Sequence, residues 1–386
     1  MRNGSYTYSS TGLLGILGQR CIAPPGRRQE RRHWAYWILI VCMMIAAIGD
    51  VRIASAQTAE KVLGPLERLS AAERKTRLVE GAKKEGRLVF YGDSNIDASG
   101  PFLEAFRKAH PYLTIGHYRA GDVKIYNRVA TEANAGKHEV DIIEIDSTTA
   151  YGLIKNGFVD PYRSLQASAV RPEFNDPKGL WHAYQYLVVG LAFNKTHVKE
   201  SEIPKSYEDL LNPHWKGKMS LDHEDATVFG TLLDIWGEDK GLAYFRKLAK
   251  QDIQFRRGHT LQANLLGAGE FHASPWLYSH RALMMMEKGA PVGLAFLEPV
   301  ISIPKVLLLA KNSPHPHAAA LFIDWALSGE GQHFVGMINA RSPVRKGQDQ
   351  KFKILAKPTT VPMKPEVVGA NLERYAALYR KVFGLQ

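Results

Sequence analysis

Two patterns of apolar positions alternate along the chain. Leu88-Val89-Phe90-Tyr91 is a short continuous run of β-branched, aromatic and aliphatic residues, which predicts a buried strand. The polar stretch Gly92-Asp93-Ser94-Asn95 breaks it. Phe102, Ala105, Phe106 and Ala109 then recur at i, i+3, i+4, i+7, with Pro101 in the first turn, which predicts an amphipathic helix. The unit returns twice. Leu113 to Tyr118 reads as a strand before Arg119-Ala120-Gly121-Asp122 and a helix from Val123 to Gly136. Val140 to Ile145 reads as a strand before Asp146-Ser147-Thr148 and a helix that stops at Gly157. Strand–loop–helix units in series predict an α/β fold with a largely parallel sheet. A charged helical lead-in occupies 57–85.

Tyr184 to Asn194, YQYLVVGLAFN, is apolar for longer than an ordinary strand. It reads as the segment that leaves a first lobe for a second. The α/β pattern then restarts. A short helix is expected at Ser206 to Leu211 and a strand at Gly217 to Leu221. Helices follow at Ala226 to Trp236 and Gly241 to Ala249, then a strand at Ile253 to Phe255 and a helix from Gly258. Phe271 to Ser274 reads as a strand, with Pro275-Trp276 starting the next helix. The runs 291–297 and 301–310 form the return path, and the last helix carries Leu372, Tyr375, Tyr379, Val382 and Phe383 on one stripe. Lobe 1 is therefore expected at 57–187 with 296–345 returning to it. Lobe 2 is expected at 188–295, with 346–386 packed on it.

The beginning of the chain has a different composition. Arg27, Arg28, Arg31 and Arg32 precede the apolar run Trp34 to Ile48, and Ala54-Ser55-Ala56 follows, the order of a secretory signal peptide. Seven arginines against two acids give 1–56 a charge of +5, so +7 of the total +12 remains beyond it. That remainder is scattered among acids rather than gathered into a nucleic-acid surface. Both cysteines, Cys21 and Cys42, lie in the leader, so the mature chain has no disulfide, thiolate metal site or cysteine nucleophile. Export without cysteine suits a bacterial periplasm.

Catalytic signatures are absent: no G-x-S-x-G, H-E-x-x-H or Walker A occurs, and no G-x-G-x-x-G follows a strand. His315 and His317 flank Pro316 and read as solvated turn residues. The loops at strand ends and helix starts carry the candidates for binding. They are Asp93, Ser94 and Asn95; Tyr118 and Arg119; Asp146, Ser147 and Thr148; His223 and Glu224; and His259 and Thr260. Helix starts offer free N–H groups to anions, although ordinary capping accounts for any one loop alone. Trp276, Tyr278 and His280 complete the set, with core packing as the alternative for Trp276. In open α/β sheets ligands lie beyond the carboxyl ends of the strands, where these loops converge.

Several stretches together resemble the periplasmic solute-binding components of ABC importers, in the branch for iron(III) and related solutes. They are EGRLVFYGDSN, EVDIIEIDSTTAYGLIKNGFVDPY, GLAFNKTHV, IPKSYEDLLNPHWKGKMSLDH, GAGE and AALFIDWALSGEGQHFV, spread over roughly 85–385. The resemblance implies the two-lobe periplasmic-binding-protein fold (type II), a ligand cleft between the lobes, and delivery of the closed form to a membrane permease. A monomer with no cofactor and no chemistry of its own is expected. The sequence departs from the iron binders in two respects, the first being that Gly92-Asp93-Ser94-Asn95 stands where their first loop often supplies a histidine. Gly269-Glu270 is followed by Tyr278-Ser279-His280, without the adjacent tyrosine pair that would bind hard Fe(III).

A small organic anion is thus the expected ligand, gripped by the donor fork of Arg119 unless that side chain pairs with Asp122 or Asp146. Ferric iron on Tyr278 and Tyr118 is the alternative. An enzyme on this scaffold, with Asp146, Glu224 and Asp225 as the only candidate acids, and a ligand sensor are readings from other classes. Export is expected to cleave the chain after Ala56. N-terminal sequencing of the periplasmic form should begin at Gln57, and a mature membrane-bound form retaining 34–49 would contradict the reading.

Overall fold

The computed structural model describes residues 58–386, so the expected leader lies outside the described residues. The lead-in ends in α1 (Ala71–Glu85). Ser70 and Glu73 cap its start reciprocally, and Gly86, at φ 66°, closes it in the left-handed region. The three predicted units follow as β1 (Arg87–Gly92), α2 (Ile96–Ala109), β2 (Thr114–Arg119), α3 (Asp122–Asn134), β3 (Ile142–Asp146) and α4 (Ser147–Lys155). β1 pairs in parallel with both β2 and β3. α2 starts before Pro101, which falls inside the helix rather than in its first turn. The carbonyl that Pro101 leaves unpaired belongs to Asp97, which is exposed to water.

β4 (His182–Asn194) is buried along all 13 residues. Beyond it lie β5 (Ser220–Asp222), α5 (Ala226–Trp236), α6 (Glu238–Leu248), β6 (Gln254–Arg256), α7 (His259–Ala268), β7 (Ala273–Tyr278), α8 (Ser279–Glu287) and β8 (Val292–Ala295). The return path comprises β9 (Val300–Leu309), α9 (Pro316–Leu327), β10 (Ser342–Pro343), β11 (Thr360–Pro362) and α10 (Leu372–Phe383). The main sheet runs β10-β4-β9-β3-β1-β2, with β11 on β9 and with β7 and β8 on β4. The first half of β4, His182 to Val188, pairs antiparallel with β9. Its second half, Val189 to Asn194, pairs with β7 and β8. One strand therefore serves two layers of pairing, which is why its apolar run is so long.

Two large cores flank this strand. The first packs Phe90, Phe102, Phe106 and Phe322; the second packs Trp215, Phe229, Phe245, Trp276 and Tyr379. Val188 belongs to the first and Val189 to the second. Gly190 is needed for the close approach of α8: a Cβ there would lie 2.7 Å from Ser279 Oγ and 2.8 Å from a Leu294 methyl.

Two expectations are corrected. Pro275-Trp276 does not begin a helix; β7 continues to Tyr278 and α8 starts at Ser279. Pro275 lacks an N–H, and it lies where the β4–β7 register shifts between Gly190 and Ala192, so the missing donor costs the ladder little. His315 and His317 are not free turn residues. Asp141, fully buried, accepts from the N–H of Val89 (2.7 Å), the Ser313 hydroxyl (2.7 Å) and the N–H of His315 (2.8 Å), and touches His315 Nδ1 at 2.8 Å. Glu85 accepts from the N–H groups of His317 and Ala318 and contacts His317 Nδ1 at 2.6 Å. Two carboxylates thus satisfy the free N–H groups at the start of α9 and tie it to α1 and β1.

Asp141→Ala would strand those donors and is expected to cost about 3–5 kcal/mol, read as a fall in the urea midpoint. The hydrogen bond to Asp141 raises the His315 pKa above its ordinary value, against burial, which lowers it. The stabilisation is therefore complete below the unfolded histidine pKa of about 6.5 and is lost as pH rises through the folded value. Urea midpoints measured as pH rises from about 5.5, below the unfolded histidine value, should decline less steeply in His315→Gln than in wild type. Equal slopes would contradict the assignment.

Candidate ligand-binding cleft

Five charged side chains meet beyond the carboxyl ends of β1 and β3. Antiparallel pairing sets Lys305 of β9 opposite Asp146 of β3. Lys305 Nζ lies 3.0 Å from Asp146 Oδ1, 3.9 Å from Glu144 Oε1, and in direct contact with Asp93 Oδ1. Asp122, at the start of α3, brings a carboxylate oxygen within 4.8 Å of those of Asp93 and Asp146. Glu144 is fully buried and saturated: the Ser94 N–H (3.1 Å), the Ser94 hydroxyl (2.8 Å) and the Tyr184 hydroxyl (3.0 Å) all donate to it. Gly92 permits this crowding, since a Cβ would stand 2.8 Å from Glu144 Oε2.

The charges are strongly interdependent. Burial pushes the Asp93 and Asp146 carboxyls up, and Lys305 pulls both back. Burial also acts on Asp122, but Lys305 and hydrogen bonds from Asp93, the Asp146 backbone and Thr149 hold it below its ordinary value. Burial disfavours the Lys305 ammonium, yet the four surrounding carboxylates raise its pKa well above normal.

The facing wall comes from β7, α7 and α5. Tyr278 ends β7 and stacks on His259, the first residue of α7, with ring centroids 3.8 Å apart. His259 Nε2 lies 3.5 Å from Asp225 Oδ1. Burial and then the charges of Asp146 and Asp225 push the Tyr278 phenol well above its usual range, so this ring feels carboxylates on both walls. Ser147 Oγ, Asp225 Oδ2 and His259 Nδ1 are buried without a hydrogen-bond partner among the described residues. Unspent polar valences on two facing walls are what a small polar solute requires.

The model of a bacterial extracellular solute-binding protein family matches residues 140–362. The chain belongs to that family. Its members are transport components rather than enzymes. The solute-binding protein is 22% identical over 293 residues to an Fe(3+)-binding periplasmic protein of Serratia marcescens, covering 72% of this chain and 84% of that one. Among solved structures it resembles the periplasmic binding protein AfuA of Actinobacillus pleuropneumoniae with exogenous fructose-6-phosphate bound. That match has a TM-score of 0.68 and 22% identity, over 78% of this chain and 99% of the other. The ferric binding protein of Campylobacter jejuni matches with a TM-score of 0.68 and 18% identity, over 76% and 99%. These likenesses place the fold among two-lobe periplasmic binding proteins.

In this solute-binding protein the predicted residues divide. Asp93, Ser94, Asp146 and Ser147 gather on one wall, and His259 and Tyr278 on the other, with His280 buried behind them. Thr148 is buried at the start of α4, while Thr260 is exposed at the start of α7. Arg119 is exposed and pairs with neither Asp122 nor Asp146; its Nη2 donates to the Asp93 carbonyl (3.2 Å) and Asn95 Oδ1 (3.1 Å), bracing that loop. Four expectations fail. Tyr118 packs against Tyr91, and Arg128 covers both rings at 4.1 and 4.5 Å, which holds the phenol on the α3 side of the sheet. His223 and Glu224 line a separate hollow of about 410 Å³ with Arg257 and Tyr379, and Glu224 pairs with Arg257 at 3.2 Å. Trp276 is 1% exposed, packed on Phe245 and Tyr379 in the second core. Lys305, Glu144 and Asp122 were missed, although Lys305 is the single charge in the apolar run 301–310 and Glu144 is flanked by isoleucines in its strand.

Lys305→Met would leave buried carboxylates facing one another. A loss of about 3–5 kcal/mol is expected at neutral pH. Without the ammonium the folded-state pKa values of Asp93 and Asp146 rise further above their unfolded values. Stability should then be retained below the unfolded carboxyl range and fall as pH rises through the folded values. Urea titration at acidic and neutral pH measures this; a loss equal at both would contradict the cluster's charge balance.

Proposed function

We propose that the protein captures a small organic anion in the periplasm by closing its two lobes on it, and presents the closed form to the membrane permease of an ABC importer. The observation that carries this reading is the position of Lys305. Its ammonium contacts Asp93 and Asp146, two of the three carboxylates whose oxygens converge as cation ligands would. A resident cation thus fills the electrostatic role that a ferric ion would take, and it leaves donors rather than bare carboxylates for the solute.

Ferric iron is the weaker reading. Iron is named in the Serratia and Campylobacter relatives, but here the phenol of Tyr278 stacks on an imidazole and is held protonated by burial and by nearby carboxylates. Tyr118 lies under Arg128. The fructose-6-phosphate of AfuA supports an organic anion as cargo on this scaffold. Lobe closure is supported by the topology, because β4 and β9 run through both halves while the two walls of the cleft belong to separate cores.

Calorimetric titration with ferric citrate, citrate and phosphorylated sugars tests the ligand class. Binding of an organic anion without a visible tyrosinate absorption band is expected, together with a smaller radius of gyration in small-angle scattering. Tight, coloured ferric binding that collapses in Tyr278→Phe would overturn the reading.

A further inference from the structure

Two arginines near the carboxylate cluster have no counter-ion among the described residues. Arg341, in the turn before β10, is 8% exposed, and the guanidinium makes one hydrogen bond, from Nη1 to the Asn339 carbonyl at 2.9 Å. Arg281 lies half-buried in the first turn of α8, three positions after Tyr278. Among the described residues, no ion pair reaches either guanidinium. Each stands in the field of the other. Burial and then Arg281 bring Arg341 down to about 10, and burial lowers Arg281 as well. His280, beside them, is held neutral by burial and by both arginines. Asp97, whose charge acts on both, is exposed at the start of α2 and forms no ion pair with them.

Burying one guanidinium without an anion is costly, and placing a second beside it adds repulsion. Folded chains tolerate this where a ligand supplies the missing charge. The location fits a ligand seat. β10 pairs with β4 at Tyr186 and Gln185, and α8 packs on β4 beside Gly190, so the elements that carry the two arginines both adjoin the strand that joins the two cores. Tyr184 is an electrostatic neighbour of Arg341 and also donates to Glu144, which makes the basic pair continuous with the acidic cluster.

We propose that Arg281 and Arg341 seat the phosphoryl group of a phosphate monoester, whose hydroxylated body lies over Lys305 and its carboxylates. The inference rests on the organic-anion reading above and specifies its charged group. A phosphate monoester carries about −1.5 to −2 at neutral pH, enough to neutralise both guanidiniums at once. Its three terminal oxygens accept from two arginine forks, whereas a single carboxylate leaves one fork unpaired. The carboxylates Asp93, Asp122 and Asp146 suit the sugar-like remainder, since they accept hydrogen bonds from hydroxyl groups.

Calorimetry and thermal shift on the exported protein, with inorganic phosphate, fructose 6-phosphate, fructose, citrate and ferric citrate as probes, test this. Wild type is expected to bind fructose 6-phosphate more tightly than fructose. Arg281→Gln and Arg341→Gln should each weaken that binding by about 10- to 100-fold while leaving fructose binding unchanged. Unliganded Arg341→Gln should melt no lower than wild type, because an uncompensated buried charge has been removed; a purely structural arginine would give a lower melting temperature. Failure of wild type to bind either phosphate-bearing probe overturns the proposal. Citrate binding that ignores both substitutions removes the arginine seat but leaves the organic-anion reading standing. Binding of ferric ion alone removes both.

Discussion

The inner surface depends on one buried ammonium. Lys305 is 5% exposed on a strand buried along its whole length, so its charge cannot reach bulk water. The β3–β9 register fixes it opposite Asp146, and the β1–β3 register brings Asp93 and Glu144 to the same place. Four carboxylates could not share that volume without it. The pairing of β9 with both β3 and β4 is thus an electrostatic requirement as much as a packing one. It also sets what the cleft offers a solute: a polar floor whose charges already hold one another, rather than an open cage of carboxylates.

Around that floor the charge is divided. Acids cluster beyond β1 and β3, while Arg281, Arg341 and His280 cluster between α8 and β10. The facing wall carries an aromatic stack whose histidine leans on Asp225. A solute that satisfies these groups together must itself be asymmetric, with an anionic end and a hydrogen-bonding body. A bare metal ion meets only one of these demands.

Much of the fold was legible in the chain because each unit repeats one local grammar. An apolar run, a polar break and a 3.6-residue stripe gave β1–α2, β2–α3 and β3–α4 in turn. The length of the 184–194 run marked the segment that leaves the first lobe for the second, and the structure shows it as one strand with two sets of neighbours. Trp276 was misread because Pro275 looks like a helix start; only the irregular β4–β7 register explains why a strand accepts it. His223 and Glu224 sit at a strand end like the true cleft residues, but no local pattern says which way the small β5–β6 sheet faces. Lys305 left a signal that was available. A lone lysine in Ile301 to Ala310 and a lone glutamate in Val140 to Ile145 each demand a partner, though nothing local says that their strands lie side by side.

The charge logic of the cleft is most directly tested by what the protein carries. Native mass spectrometry of the periplasmic protein, purified without denaturation, weighs any bound solute. A single organic adduct that contains phosphorus and dissociates when the protein is unfolded is expected. An adduct with the mass of one ferric ion, retained while the Lys305 contacts remain intact, would contradict it.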